Sequence, residues 1–157
     1  MKMKMCTILS LLLVSVLAIA STTAVAQDDA MAVLKKYDDA RARGDVDAVL
    51  ALFANDAVID GGGQCWNSPC VGKAAIGKRF ALLPKGSKTT PISTYPSGNV
   101  VTRRVEVRPA TLQEAGLDRL IHWQIYEIKD GLIVSVRHVR ERTDPQTARY
   151  IKWRQQR

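Results

Sequence analysis

The sequence predicts an α+β domain, with helices packed on one face of a curved antiparallel sheet. Three observations carry this. Apolar residues recur at helical spacing through the first third of the chain beyond residue 27. Alternate-residue patterning takes over after residue 100. The two regimes follow one another instead of interleaving, which separates an α+β order from a βαβ order.

Residues 28–43 set Ala30, Val33, Leu34, Tyr37 and Ala40 on one helical stripe. Gly44 suits the C-terminal cap and Asp45 the N-cap of a second helix. That helix runs to about residue 54, with Val46, Val49, Leu50 and Phe53 on one face. Asn55-Asp56 reads as a turn, residues 57–60 as a short strand, and Gly61-Gly62-Gly63 as a flexible strand exit. Residues 72–83 form a third helix with Ile76, Phe80 and Leu83 inward. Pro84, Gly86 and Pro91 mark loops. Val101, Val105 and Val107 then alternate with Thr102, Arg104, Glu106 and Arg108. Residues 120–128 make a second long strand, Asp130-Gly131 is a two-residue hairpin signal, and residues 132–142 are the partner strand. Residues 145–157 read as a loose terminal helix, a basic C-terminal tail after a domain spanning 27–144.

The N-terminus has the zones of a secretory signal. Lys2 and Lys4 precede an apolar run from Ile8 to Ala20, and Ala24-Val25-Ala26 offers a small-residue cleavage site. Residues 1–26 therefore read as a cleavable leader and the rest as a periplasmic or secreted domain. The competing reading is a membrane anchor, but the run is short of the roughly 20 apolar residues a spanning helix needs. No later stretch is apolar enough to span, so the mature chain has no expected transmembrane segment. Cys65 and Cys70 remain after cleavage, and in an oxidising compartment this spacing reads as a disulfide, with free thiols as the alternative.

The formal net charge is +8, and losing Lys2 and Lys4 with the leader leaves +6. Much of it lies from Arg137 onward, where seven basic residues face only Glu141 and Asp144. Such a tail can touch an anionic partner, or be a solvated terminus. No nucleic-acid motif accompanies it, so no specific nucleic-acid binding is expected. Acidic residues are scattered without a metal-ligand cluster, and phosphate-binding glycine loops and nucleophile elbows are lacking. No metal or cofactor is expected.

The stretches Val33-Leu34-Lys35-Lys36-Tyr37 and Gly44-Asp45-Val46-Asp47-Ala48-Val49-Leu50-Ala51-Leu52-Phe53-Ala54-Asn55-Asp56-Ala57 resemble the opening of nuclear-transport-factor-2-like domains. These include ketosteroid isomerases and SnoaL-like polyketide cyclases. Gly72-Lys73-Ala74-Ala75-Ile76 is similar to their third helix, and Tyr126-Glu127-Ile128-Lys129-Asp130-Gly131-Leu132-Ile133 to their last hairpin. The resemblance implies a cone-shaped, cystatin-like α+β barrel. Three helices would cap a bent sheet over a pocket, and the outer sheet face would serve for homodimers. It does not imply isomerase chemistry. Tyr37 matches the family's oxyanion tyrosine, but the base position falls on Gly61, with Asp60 one residue off and so on the opposite face. The acid position falls near Ile125, which cannot donate a hydrogen bond.

An unbroken hairpin register from Lys129 opposite Leu132 pairs Ile125 with Val136, Trp123 with His138 and Ile121 with Arg140. The pocket face then carries Ile121, Trp123, Ile125, Val134, Val136, His138 and Arg140. A slip of one residue would turn His122 and Tyr126 inward instead. The candidate ligand-binding residues are Tyr37, Trp123, His138 and Arg140: a cationic fork, a flat wall and a proton carrier for a small, partly apolar ligand with a carboxylate or enolate end. His138 is the candidate acid or base, with the catalytic set otherwise unknown. The plain alternative pairs Arg140 with an acid such as Glu106 and packs His138 at the surface. Three functions stay open: an exported small-molecule-binding domain; an isomerase, cyclase or hydratase acting on a small carbonyl compound; and a dimeric scaffold for a macromolecular partner.

Overall fold

In the computed structural model, which describes residues 26–83, 87–108 and 110–156, the stripe on the first helix meets a bent sheet. Helix α1 covers residues 26–43, and its Ala30, Val33, Leu34, Tyr37 and Ala40 are all buried. Most of the expected leader, residues 1–25, lies outside the described residues. Helix α2 (Val46–Ala51) starts where Asp45 caps it, its carboxylate accepting from the Ala48 amide at 2.9 Å. Helix α3 (Gly72–Ala81) buries Ile76 and Phe80. The helical core closes on Phe53, Ala57, Ile59, Val101, Tyr126, Ile128, Ile133 and Val136 of the sheet.

The strands are β1 (Phe53–Asp60), β2 (Cys70–Val71), β3 (Lys88–Ser97), β4 (Val100–Arg108), β5 (Leu120–Lys129) and β6 (Leu132–Arg140). They form one open sheet in the order β2-β1-β6-β5-β4-β3. The sheet is mixed, because β1 runs parallel to β6 while the other neighbours are antiparallel. The α+β class holds, and the all-antiparallel expectation is corrected. Phe53, Asn55 and Asp56, assigned from sequence to a helix end and a turn, belong to β1. Pro91, read as a loop marker, lies in β3. An edge strand tolerates proline because one side of its backbone has no partner to bond.

The Asp130-Gly131 turn has both residues at positive φ, 51° and 75°, as a two-residue hairpin requires. Beyond it the register shifts. Lys129 faces Leu132 and Ile128 faces Ile133, but Glu127 faces Ser135, so Val134 is an extra, bulged residue. The cause is burial. Ile133 and Val136 are both core residues, and their odd spacing cannot put both on one face of a regular strand. From Glu127 onward each β5 residue meets a β6 residue one later than the unbroken register gives.

Residues 145–155 do not form a loose tail. Helix α4 (Pro145–Gln155) is capped by Asp144. Fully buried Thr147 donates through its hydroxyl to Asp144 at 2.8 Å and accepts from the Ile121 amide at 2.9 Å. Gln146 Oε1 accepts from the Asp118 amide, and Arg119 pairs with Asp144 at 3.1 Å. Among the described residues no helix is long and apolar enough to cross a membrane. Replacing Thr147 with Val keeps the shape but removes one hydrogen bond from the Asp144 carboxylate and leaves the buried Ile121 amide without its acceptor. Urea unfolding should show a loss of about 1–3 kcal/mol.

Candidate functional site

The shifted register decides what lines the interior cavity. His122, Gln124 and Tyr126 of β5 turn inward, opposite Arg140, His138 and Val136 of β6. Trp123 therefore leaves the site. It sits on the outer face with its ring 6.2 Å from that of Tyr95. Of the residues proposed from sequence, Tyr37, His138 and Arg140 line one cavity and Trp123 does not. His122, Gln124, Arg41 and Arg79 add to the polar lining, with Ser87, Thr89 and Tyr150. The slipped register had flagged His122; nothing in sequence spacing pointed to Arg79.

Each side chain is held by a specific neighbour. Tyr37 is buried, edge-on to Phe53, Phe80 and Tyr126, and Arg41 lies over its ring at 5.6 Å. It is at once core and cavity wall. Arg79 is 8% exposed and directs Nε at the Gly62 carbonyl, 3.4 Å away. Arg140 does not pair with Glu106, which instead bonds Arg108 at 2.7 Å. Its guanidinium stacks on Trp66, 3.0 Å from the ring centroid. Trp66 is carried by the loop that the Cys65–Cys70 disulfide closes, and its ring also meets Tyr150 and Arg154 of α4.

His138 sits where glycines make room. A Cβ at Gly61 would collide with the His138 carbonyl oxygen, and Gly61 also has φ +75°. A Cβ at Gly62 would come within 2.7 Å of the His138 ring. Thus the space that a side chain at position 61 would occupy, where the resembling isomerases place their base, is taken by His138. Asp60 faces outward, opposite Arg137.

A polar chain links the two strands. The Tyr126 hydroxyl donates to Gln124 Oε1 at 2.8 Å; Gln124 Nε2 lies 3.4 Å from His122 Nε2; and His122 Nε2 lies 3.3 Å from His138 Nδ1. Burial, then the positive charge of Arg140, Arg79 and Arg41, pushes the His122 pKa down to about 4. Burial, then His122 and the same three arginines, pushes His138 well below its ordinary value. Burial likewise lowers Arg140 to about 10. Both imidazoles are neutral at pH 7. Among the described residues no Asp or Glu lines the cavity. Acids nearby are spent elsewhere: Asp38 on Arg103 at 2.6 Å, and Glu141 on Arg104 at 2.7 Å. Among the described residues no group of three metal-ligating side chains occurs.

The cavity measures about 180 Å³. Drug-sized ligands occupy roughly 300–1,000 Å³, so this one suits a smaller molecule. A more open groove of about 510 Å³ lies outside it, between the α1–α2 corner and the end of α3. The groove shares Arg41, Leu83 and Ser87 but brings no histidine.

A family model described as SnoaL-like domain matches residues 34–136. The chain belongs to the SnoaL-like domain family. No curated protein matches this SnoaL-like chain significantly. Among solved structures it is similar to a protein provisionally described as a ketosteroid isomerase from Kribbella flavida. That pair is 19% identical over 76% of this chain and 83% of the other, with a TM-score of 0.62. It is also similar to an LEH-like epoxide hydrolase of M. tuberculosis, at 16% identity, 80% and 92% coverage and a TM-score of 0.61. A computationally designed 17-OHP binder gives 19%, 72% and 91%, and 0.60. These likenesses establish the nuclear-transport-factor-2-like fold.

Two outcomes test the site. The histidine pKa values are depressed on folding, so the unfolded chain takes up protons first as pH falls. Stability should be intact above about pH 6.5 and decline from there toward pH 4. A His122→Gln, His138→Gln double variant should flatten that slope in thermal melts. Gly62 is extended at φ −116°, so Gly62→Ala strains no backbone and acts only on the His138 ring. It should cost about 1–3 kcal/mol and shift the His138 ring resonances.

Proposed function

We propose that this chain is an exported small-molecule-binding domain whose cavity takes a compact, partly apolar organic anion. The observation that carries the reading is the charge balance of the lining: Arg41, Arg79 and Arg140 surround two neutral imidazoles with no carboxylate among them. Arg79 and Arg140 are desolvated cations with no acid acting on them, which is costly, and a ligand carboxylate would supply the missing charge with charge-assisted hydrogen bonds. Tyr37, Leu83, Val107 and Leu120 give the apolar remainder of the wall. A cavity of about 180 Å³ favours a guest smaller than a steroid. Support for export comes from the leader-like residues 1–26 and from the Cys65–Cys70 disulfide, a bond that persists in oxidising compartments.

The test compares benzoate and pyruvate with their neutral amides by calorimetry and thermal shift. Carboxylates should bind and raise the melting temperature, and the amides should not. Arg140→Gln and Arg41→Gln should each weaken binding by about 10- to 100-fold, the worth of one charged hydrogen bond. Equal binding of acids and amides would remove the anion reading. N-terminal sequencing of protein recovered outside the cytoplasm should begin at Gln27.

The outer sheet face favours a second, compatible reading, a homodimer. Tyr95 and Val139 are 56% and 44% exposed there, beside Trp123. Light scattering should give a dimer mass that falls to a monomer in Val139→Glu.

A further inference from the structure

The hydrogen-bond chain fixes more than position; it fixes where protons sit. Tyr126 is fully enclosed, and burial keeps its hydroxyl protonated. The acceptor facing that hydroxyl is Gln124 Oε1, and a carbonyl oxygen can only accept. The amide nitrogen of Gln124 is therefore the end turned to His122 Nε2, where it donates. His122 Nε2 is then an acceptor, and that ring carries its proton on Nδ1. His138 Nδ1, at 3.3 Å from the same nitrogen, must donate to it. His138 is thus the Nδ1–H tautomer. Its Nε2 holds a lone pair that bonds no described residue, in a ring that lines the cavity and has Gly62 against its face. Two donors share one lone pair at His122, which accords with contacts of 3.3 and 3.4 Å instead of the usual 2.9 Å or so.

We propose that the cavity takes up a small organic acid as its anion together with one proton, that the proton lands on His138 Nε2, and that Tyr126 and Gln124 are the positioning residues that direct it there. The proposal rests on the anion-binding reading above and adds to it the ligand's protonic partner.

The asymmetry between the two imidazoles follows from the network. A proton on His122 Nε2 would face the Gln124 amide and the His138 N–H, two donors, and break both contacts. A proton on His138 Nε2 breaks none, and makes the His138–His122 bond charge-assisted. The empty cavity opposes either proton. The charged groups that act on the pair are Arg79 of α3, Arg41 of α1 and Arg140 of β6, all positive, and no acid is among them. A bound carboxylate reduces that opposition by offsetting arginine charge within the same enclosure and by facing the protonated ring as an anion.

The experiment uses the purified protein with benzoate as probe. Titration calorimetry in buffers of low and high ionisation enthalpy should give close to one proton taken up per benzoate bound at pH 7. Affinity should fall about tenfold per pH unit above neutrality. Nitrogen-15 spectra of the unliganded protein should show both histidines as Nδ1–H tautomers, and benzoate should convert only His138 Nε2 to the protonated form. Tyr126→Phe frees the Gln124 amide to rotate, so His122 should become a mixture of tautomers while benzoate still binds. Loss of a packing contact alone would leave the tautomers unchanged. Benzoate binding without proton uptake, or with the proton on His122, overturns the proposal and leaves the anion-binding reading standing. If no carboxylate binds at all, both fall. The spectra need no variant, so a misfolded substitution does not decide the question.

Discussion

The extra residue in β6, Val134, determines which chemistry faces inward. Ile133 and Val136 are three residues apart and both belong to the core, so the strand must bulge between them. Everything beyond the bulge inherits the shift. Gln124 and His122 come to lie across from His138 and Arg140, and Trp123 is carried to the outside. The parallel pairing of β1 with β6 is irregular at the same level, where Phe53 meets Ile133 and Val58 meets Ser135. A packing requirement among aliphatic side chains has thus arranged a row of titratable ones some distance away.

The charge arrangement depends on that row. Ion pairs occupy the other acids close to the sheet, Asp38 with Arg103, Glu141 with Arg104 and Asp144 with Arg119. The cavity is left with arginines whose near neighbours are aromatic rings and carbonyls. Arg140 lies on Trp66, Arg79 against Phe80 and the Gly62 carbonyl, and Arg41 over Tyr37. Such neighbours tolerate a cation without neutralising it. The disulfide loop and α4 matter to this arrangement because they hold Trp66 and Tyr150 at the Arg140 end.

Much of the fold was legible. The α1 stripe, the Gly44-Asp45 junction, the Asp130-Gly131 turn and the cysteine pair each rest on local rules of periodicity, capping or compartment, and each appears as read. The candidate site was legible only in part. Leu132-Ile133-Val134-Ser135-Val136 is apolar at consecutive positions, so alternation alone cannot say which residue bulges. The answer comes from β1 and the helices, which need Ile133. For the same reason Trp123 was placed on the wrong face. Arg79 escaped notice because a lone arginine on a short helix reads as solvated until the cavity beside it is known. Strand β3 was hidden by its own prolines.

Those prolines bear on how the molecule meets its neighbours. An open sheet exposes two borders, and each is an invitation to add strands from another copy. Here one border is β2, only two residues long, and the other is β3, interrupted at Pro91 and Pro96. A two-residue template is too short to recruit a strand, and a proline-broken one lacks the amide hydrogens to do so. Growth of the sheet sideways into fibrils is therefore blocked at both ends. That freedom lets the broad face carry aromatic and aliphatic groups that would be hazardous on a protein whose edges were sticky.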